Sequence, residues 1–208
     1  MKNTFEKKYI EHINKGLRDS TCKLNDIEVS MEDFFTNTTN FLKNTVKNKG
    51  KIYFFGNGAS ASFSNHMALD WSKNGGILSF SLSDSSMLTA LANDYSFEDS
   101  FLEFLKINKP TNNDLVITTS SSGNSPNIVS VLNYCSKNNI TTLGLSGLKE
   151  DNKSVQLSTY SLFVPMKTYG MVECIHQVFH HLLLDKYMAI NEWEKLESQN
   201  MNSNNFKL

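Results

Sequence analysis

The chain has 208 residues, a net charge of -1 and 39% hydrophobic residues, with a mean hydropathy of -0.35. That length and balance describe a soluble globular protein with room for one α/β domain and a modest helical addition. They argue against electrostatically driven nucleic-acid binding, and no apolar run approaches the roughly 18 residues needed to cross a membrane.

The N-terminal Met1–Lys8 has no apolar core after its charges and does not read as a signal peptide. Cys22, Cys135 and Cys174 are odd in number and far apart, which predicts free thiols in a reducing cytoplasm. In chain order, residues 2–18 and about 25–48 read as two helices, with Asp19-Ser20-Thr21 as the break between them. The second carries an apolar stripe of Ile27, Phe34, Phe35, Phe41, Leu42 and Val46. From residue 51 strands and helices alternate. Strands are predicted at Lys51–Phe55, Ile77–Leu82, Asp114–Thr119, Ile140–Ser146 and Ser161–Val164. Helices are predicted at Ser60–Lys73, near Ser86–Ala92, across Phe97–Ile107, from Pro126 to about Lys137 and at Gly170–Met188. Alternation of this kind predicts an α/β fold with a doubly wound, parallel, five-stranded sheet preceded by two N-terminal helices. Residues 1–190 form one domain in this reading, and the polar residues 191–208 a frayed tail.

Two strand ends stand out. Lys51–Phe55 stops in Gly56-Asn57-Gly58-Ala59-Ser60, and Leu115-Val116-Ile117 stops in Thr118-Thr119-Ser120-Ser121-Ser122-Gly123-Asn124-Ser125. Each junction gathers hydroxyls and backbone N–H groups at a helix N-terminus, which suits a phosphate. Neither is G-x-G-x-x-G, so the pair suggests a sugar-phosphate pocket and not a dinucleotide site. Arg18 is the single arginine, so an anion has to be held mainly by lysines, hydroxyls and amides.

Four of the five histidines fall on two predicted helices, each with a carboxylate. His66 and Asp70 are four apart and share a face. On the last long helix Glu173, His176, His180 and His181 cluster, and helical rotation alone favours His180 as the companion of Glu173. Two imidazoles and two carboxylates suit a tetrahedral Zn²⁺ site or a metal-free acid/base set. A solvated ion pair for His66 with Asp70, and a packed core histidine within His180-His181, are the plain alternatives.

Gly-Asn-Gly-Ala-Ser-Ala, His66 with Asp70, Asn93-Asp94, the Ser120–Ser125 loop and the Glu173–His181 helix together resemble the sugar-isomerase (SIS) domain family, in its phosphoheptose isomerase branch. The resemblance covers nearly the whole chain. It implies a flavodoxin-like sandwich, a cytoplasmic homotetramer with active sites between subunits, and a suspected Zn²⁺ cofactor. By position it implies substrate contacts at Asn57, Gly58, Ser60, Asn93, Asp94, Ser120, Ser121, Ser122, Ser125 and Glu173. Metal ligands would be His66, Asp70, Glu173 and His181, with Asp70 standing for the family's Glu and Glu173 for its Gln. Catalysis would fall to Asp70 or Glu173 as base and His181 as acid. The implied reaction is aldose–ketose isomerisation of sedoheptulose 7-phosphate, for bacterial lipopolysaccharide or capsule heptose. A non-catalytic module that binds a sugar phosphate and a protein partner, and an isomerase of another sugar phosphate, are the alternatives.

Overall fold

The computed structural model describes residues 4–191 and 193. Its elements are α1 (Phe5–Asp19), β1 (Thr21–Leu24), β2 (Ile27–Val29), α2 (Met31–Lys47), β3 (Ile52–Gly56), α3 (Ala59–Lys73), β4 (Ser79–Ser81), α4 (Ser85–Asp94), α5 (Ser100–Ile107), β5 (Leu115–Ser120), α6 (Pro126–Lys137), β6 (Thr141–Gly147), α7 (Lys153–Leu157), β7 (Tyr160–Val164) and α8 (Tyr169–Met188). All five expected strands are present. The tail predicted to fray lies, apart from Asn191 and Trp193, outside the described residues.

The sheet has seven strands in the order β2-β1-β7-β6-β5-β3-β4, where the sequence predicted five. The five expected strands are all parallel. The two extra ones form a hairpin laid antiparallel along β7, with Cys22 opposite Leu162. This corrects the reading of residue 25 onward as helix. Asn25 and Asp26 adopt φ of 48° and 66°, both left-handed, as a two-residue type I′ turn requires. Helix α2 starts only at Met31, where Ser30 Oγ accepts from the Asp33 N–H at 3.0 Å and donates to the Asp33 carboxylate at 2.7 Å. The hairpin pairs what would otherwise be an open edge on β7.

Alternation along the central strands divides the core into two layers. Ile52, Phe54, Leu115 and Ile117 face Phe34, Leu42, Met67, Trp71, Ile175 and Phe179 of α2, α3 and α8. Tyr53, Phe55 and Val116 face Leu91, Phe101, Leu105, Ile128 and Leu132 of α4, α5 and α6. Within the parallel part the chain leaves β3 toward β4 on one side and returns to β5 on the other. The carboxyl ends of β3 and β5 therefore diverge, and the crevice between them is where open α/β sheets bind ligands.

Candidate functional site

That crevice is a cavity of about 100 Å³ lined by Asn57, Ser60, Thr119, Ser120, Ser121, Ser122, Ser125, Tyr169 and Glu173. Of the ten predicted substrate contacts, seven line it, and Gly58 lies between Asn57 and Ser60 as the N-cap of α3, with φ 58°. Asn93 and Asp94 are exposed at the end of α4, hydrogen-bonded to each other at 3.0 Å, and do not line the cavity.

Among the described residues, no lysine or arginine lines this cavity. An anion placed there would meet hydroxyls and the N-termini of α3 and α6, which start at Ala59 and Pro126. Ser120 and Ser125 join through their hydroxyls at 3.2 Å across the turn. Ser121 is 5% exposed, and its hydroxyl has no partner among the described residues. A buried O–H without an acceptor costs roughly 1–3 kcal/mol, so a ligand oxygen at this point would relieve a standing penalty. Backbone bonds from Gly147 N–H to the Ser121 carbonyl (3.0 Å) and from Ser154 N–H to the Gly123 carbonyl (2.9 Å) tie the serine loop to β6 and α7.

Helices α3 and α8 bring His66, Asp70 and His181 together, their ligand atoms all within 4.8 Å of one another. His66 Nε2 lies 3.2 Å from Asp70 Oδ2, and the His66 and His181 rings are 5.4 Å apart between centroids. Two imidazole nitrogens and one carboxylate oxygen at this spacing form a possible metal-binding site, the three-protein-ligand pattern of catalytic metal centres. Glu173 is not part of this group; it sits two turns earlier on α8, on the wall of the serine cavity. The Gln177 amide donates to His181 Nε2 at 2.7 Å. Sequence reasoning missed it because an uncharged amide does not stand out beside ionisable neighbours, although its i,i+4 spacing to His181 matches that of His66 and Asp70.

His180, favoured by helical rotation, turns away from this cluster. It is buried beneath the serine loop, with Nε2 2.9 Å from Thr119 Oγ1. Burial, with His176 and His181 adding to it, pushes its pKa down to about 3. His176 is fully buried too, and its Nε2–H donates to the Ser146 carbonyl at 3.0 Å. Burial holds His176 down at about 4, partly opposed by that bond. Both rings are therefore neutral structural links from α8 to the ends of β5 and β6.

Known proteins resemble this chain in both sequence and fold. Residues 17–147 match the SIS domain. The phosphoheptose isomerase of Helicobacter pylori (strain Shi470) is 33% identical over 162 residues, which is 75% of this chain and 83% of that protein. The fold superposes on a phosphoheptose isomerase from Francisella tularensis with a TM-score of 0.74 at 17% identity, covering 88% of this chain and 95% of that one. The corresponding Neisseria gonorrhoeae structure gives 0.69 at 22% identity, covering 88% and 99%. With an SIS match across most of its length and a curated relative matched over 83% of that protein, the chain belongs to the SIS-domain family, among the phosphoheptose isomerases.

Proposed function

We propose that the protein is an aldose–ketose isomerase that interconverts sedoheptulose 7-phosphate and D-glycero-D-manno-heptose 7-phosphate through an enediol. Its product would enter a bacterial surface polysaccharide. The observation that carries this reading is the hydroxyl cavity with one carboxylate, Glu173, on its wall and a His/Asp cluster on the same helix pair.

The phosphate is bound by the Ser120–Ser125 loop and the α6 N-terminus, with the unpartnered Ser121 hydroxyl donating to it. Because Glu173 is an anion in the same cavity, the dianionic phosphate sits at the serine end and the C1–C2 end of the sugar meets the carboxylate. Remote binding energy at the phosphate then aligns the reacting carbons. In the ketose-to-aldose direction Glu173 takes the proton from C1 while the carbonyl oxygen on C2 gains one, giving the enediol. The O1–H proton then leaves as the Glu173 proton returns to C2, so hydrogen and charge balance over the cycle. As a ligand of a divalent cation, His181 would exchange no protons, and the Gln177 N–H that meets its Nε2 at 2.7 Å would have to give way to the metal or to the ring's own N–H.

His66, Asp70 and His181 would hold a divalent cation, for which we favour zinc because two imidazoles and one carboxylate suit it. When bound there, zinc supplies Lewis acidity to the sugar oxygens. Glu173 stays free of ligation in this scheme and keeps its role as base. The half-exposed His66 and the exposed Leu69 and Val178 lie on α3 and α8, which supports a homotetramer with each site completed near a subunit boundary, testable by light scattering.

The test is direct. Metal-replete protein is mixed with sedoheptulose 7-phosphate, and the aldose anomeric proton is followed by NMR. Its growth to a stable ratio is expected. Saturable binding of the sugar phosphate with no aldose signal would overturn the reading in favour of a non-catalytic sensor.

A further inference from the structure

Asn127 lies outside both the cavity lining and the His/Asp cluster, yet it is only 2% exposed on the first turn of α6. Its amide faces that of Asn57 in a reciprocal pair. Asn57 Nδ2 donates to Asn127 Oδ1 at 2.9 Å, and Asn127 Nδ2 donates to Asn57 Oδ1 at 3.0 Å. The Asn127 oxygen also accepts its neighbour's backbone N–H, from Ile128 at 3.0 Å. Two amides that exchange donor and acceptor this way fix each other's plane and flip state. They also span 70 residues of chain, joining the turn after β3 to the helix that starts at the serine loop.

From this geometry we infer that Asn127 is a positioning residue that aims Asn57 at the sugar and holds the two ligand loops at a fixed separation. Half of the Asn57 amide is committed to the pair. One N–H and one lone pair remain for a sugar hydroxyl, and their direction is set by Asn127. Because the pair pre-exists the ligand, it contributes to ground state and transition state alike, so its loss weakens binding more than it slows chemistry. The inference rests on the reading of Asn57 as a ligand contact; it does not require turnover.

The experiment measures the Kd of sedoheptulose 7-phosphate by calorimetry, together with KM and kcat, for Asn127→Ala, Asn127→Asp and Asn57→Ala. Asn127→Ala should weaken binding by about tenfold, the worth of one to two hydrogen bonds, with kcat changed by less than about threefold. Asn57→Ala/Asn127→Ala should be no weaker than the worse single variant. The acid variant supplies the signature a purely structural residue lacks. A carboxylate at 127 accepts one bond but confronts the Asn57 oxygen with a second acceptor. Protonated, it restores both bonds of the pair. The Kd of Asn127→Asp relative to wild type should therefore recover as pH falls through the carboxyl's own titration, at about 4 for an ordinary Asp and higher where burial disfavours the charge. A drop in melting temperature with an unchanged Kd would overturn the inference. So would additive losses in the double variant, or weakening in the Asp variant alone, which would mean simple repulsion of the phosphate. Failure of wild type to isomerise, with binding intact, would refute the proposed activity while leaving this test in force.

Discussion

Replacing Gly123 with alanine tests how firmly the serine loop is locked. Gly123 has φ 64°, and a Cβ at this position would collide with the side-chain oxygen of Asn152. Gly76 is a matched control, since it has φ 68° and open space for 4 Å around the point a Cβ would occupy. An L-residue in the left-handed region costs about 1–2 kcal/mol, and that is the whole cost expected for Gly76→Ala. At position 123 the methyl also displaces Asn152, which is 1% exposed. Asn152 Oδ1 caps α7 through the Val155 N–H at 3.0 Å, and its Nδ2 donates to Ser146 Oγ at 3.1 Å and to the Lys149 carbonyl at 2.6 Å. Leaving even one of these buried groups unpaired adds about 1–3 kcal/mol, so Gly123→Ala should lose about 2–5 kcal/mol in all. Urea unfolding followed by circular dichroism, at one protein concentration so that association cancels, gives both values. Losses that agree within about 0.5 kcal/mol, smaller than any single contribution above, would refute the claim that Asn152 braces this loop.

Glu173→Gln should keep the fold and the affinity for inorganic phosphate but cut turnover at least about 10²-fold, since a neutral amide cannot take the C1 proton; unchanged turnover would remove Glu173 as the base. Metal affinity, read by chelator competition, should fall in His66→Ala and stay within about twofold of wild type in Glu173→Gln, because the lost group is not a ligand in the proposed scheme. Acid should destabilise the fold through its buried histidines. His176 and His180 are held at about 4 and about 3, whereas unfolded histidine titrates near about 6.5. Below that value the unfolded chain binds protons that the folded chain refuses. Their stabilisation is therefore complete above about pH 7 and falls by up to about 1.4 kcal/mol per pH unit for each ring between about 6 and 4. His180→Gln, which can still reach Thr119, should reduce that slope; an unchanged slope would contradict the assignment. Burial pushes the Cys22 and Cys135 thiols up to about 12, so a thiol reagent at about pH 8 should label Cys174 alone in the native protein. Labelling of Cys135 without unfolding would contradict the packing of α6.

The parallel strands were legible because each is a short apolar run closed by small polar residues, and burial on both faces leaves that pattern little freedom. The hairpin was not. Its strands have four and three residues, and Ile27, which continues the apolar spacing of the α2 stripe, is an exposed position on β2. The Asn25-Asp26 pair was the available signal, since few dipeptides accept two left-handed residues. At the site, the serine loop could be read from composition alone, because Ser120, Ser121, Ser122 and Ser125 crowd the end of one apolar strand. The choice between His180 and His181 could not be made from one helix. Helical rotation ranks neighbours on α8, but it is α3, crossing with His66, that selects His181. Asn127 was invisible for a related reason: an uncharged amide carries no chemical signature until its partner 70 residues away is known. Asn93 and Asp94 entered by resemblance, and the end of α4 holds them outside the serine cavity.

The most direct test of the central claim is incubation of the metal-replete protein with sedoheptulose 7-phosphate in D₂O, followed by NMR. The proposed proton transfer between C1 and C2 predicts formation of the heptose 7-phosphate, with deuterium entering at C2 to the extent that Glu173 exchanges its proton with solvent. A sugar phosphate that binds yet neither converts nor gains deuterium would contradict it.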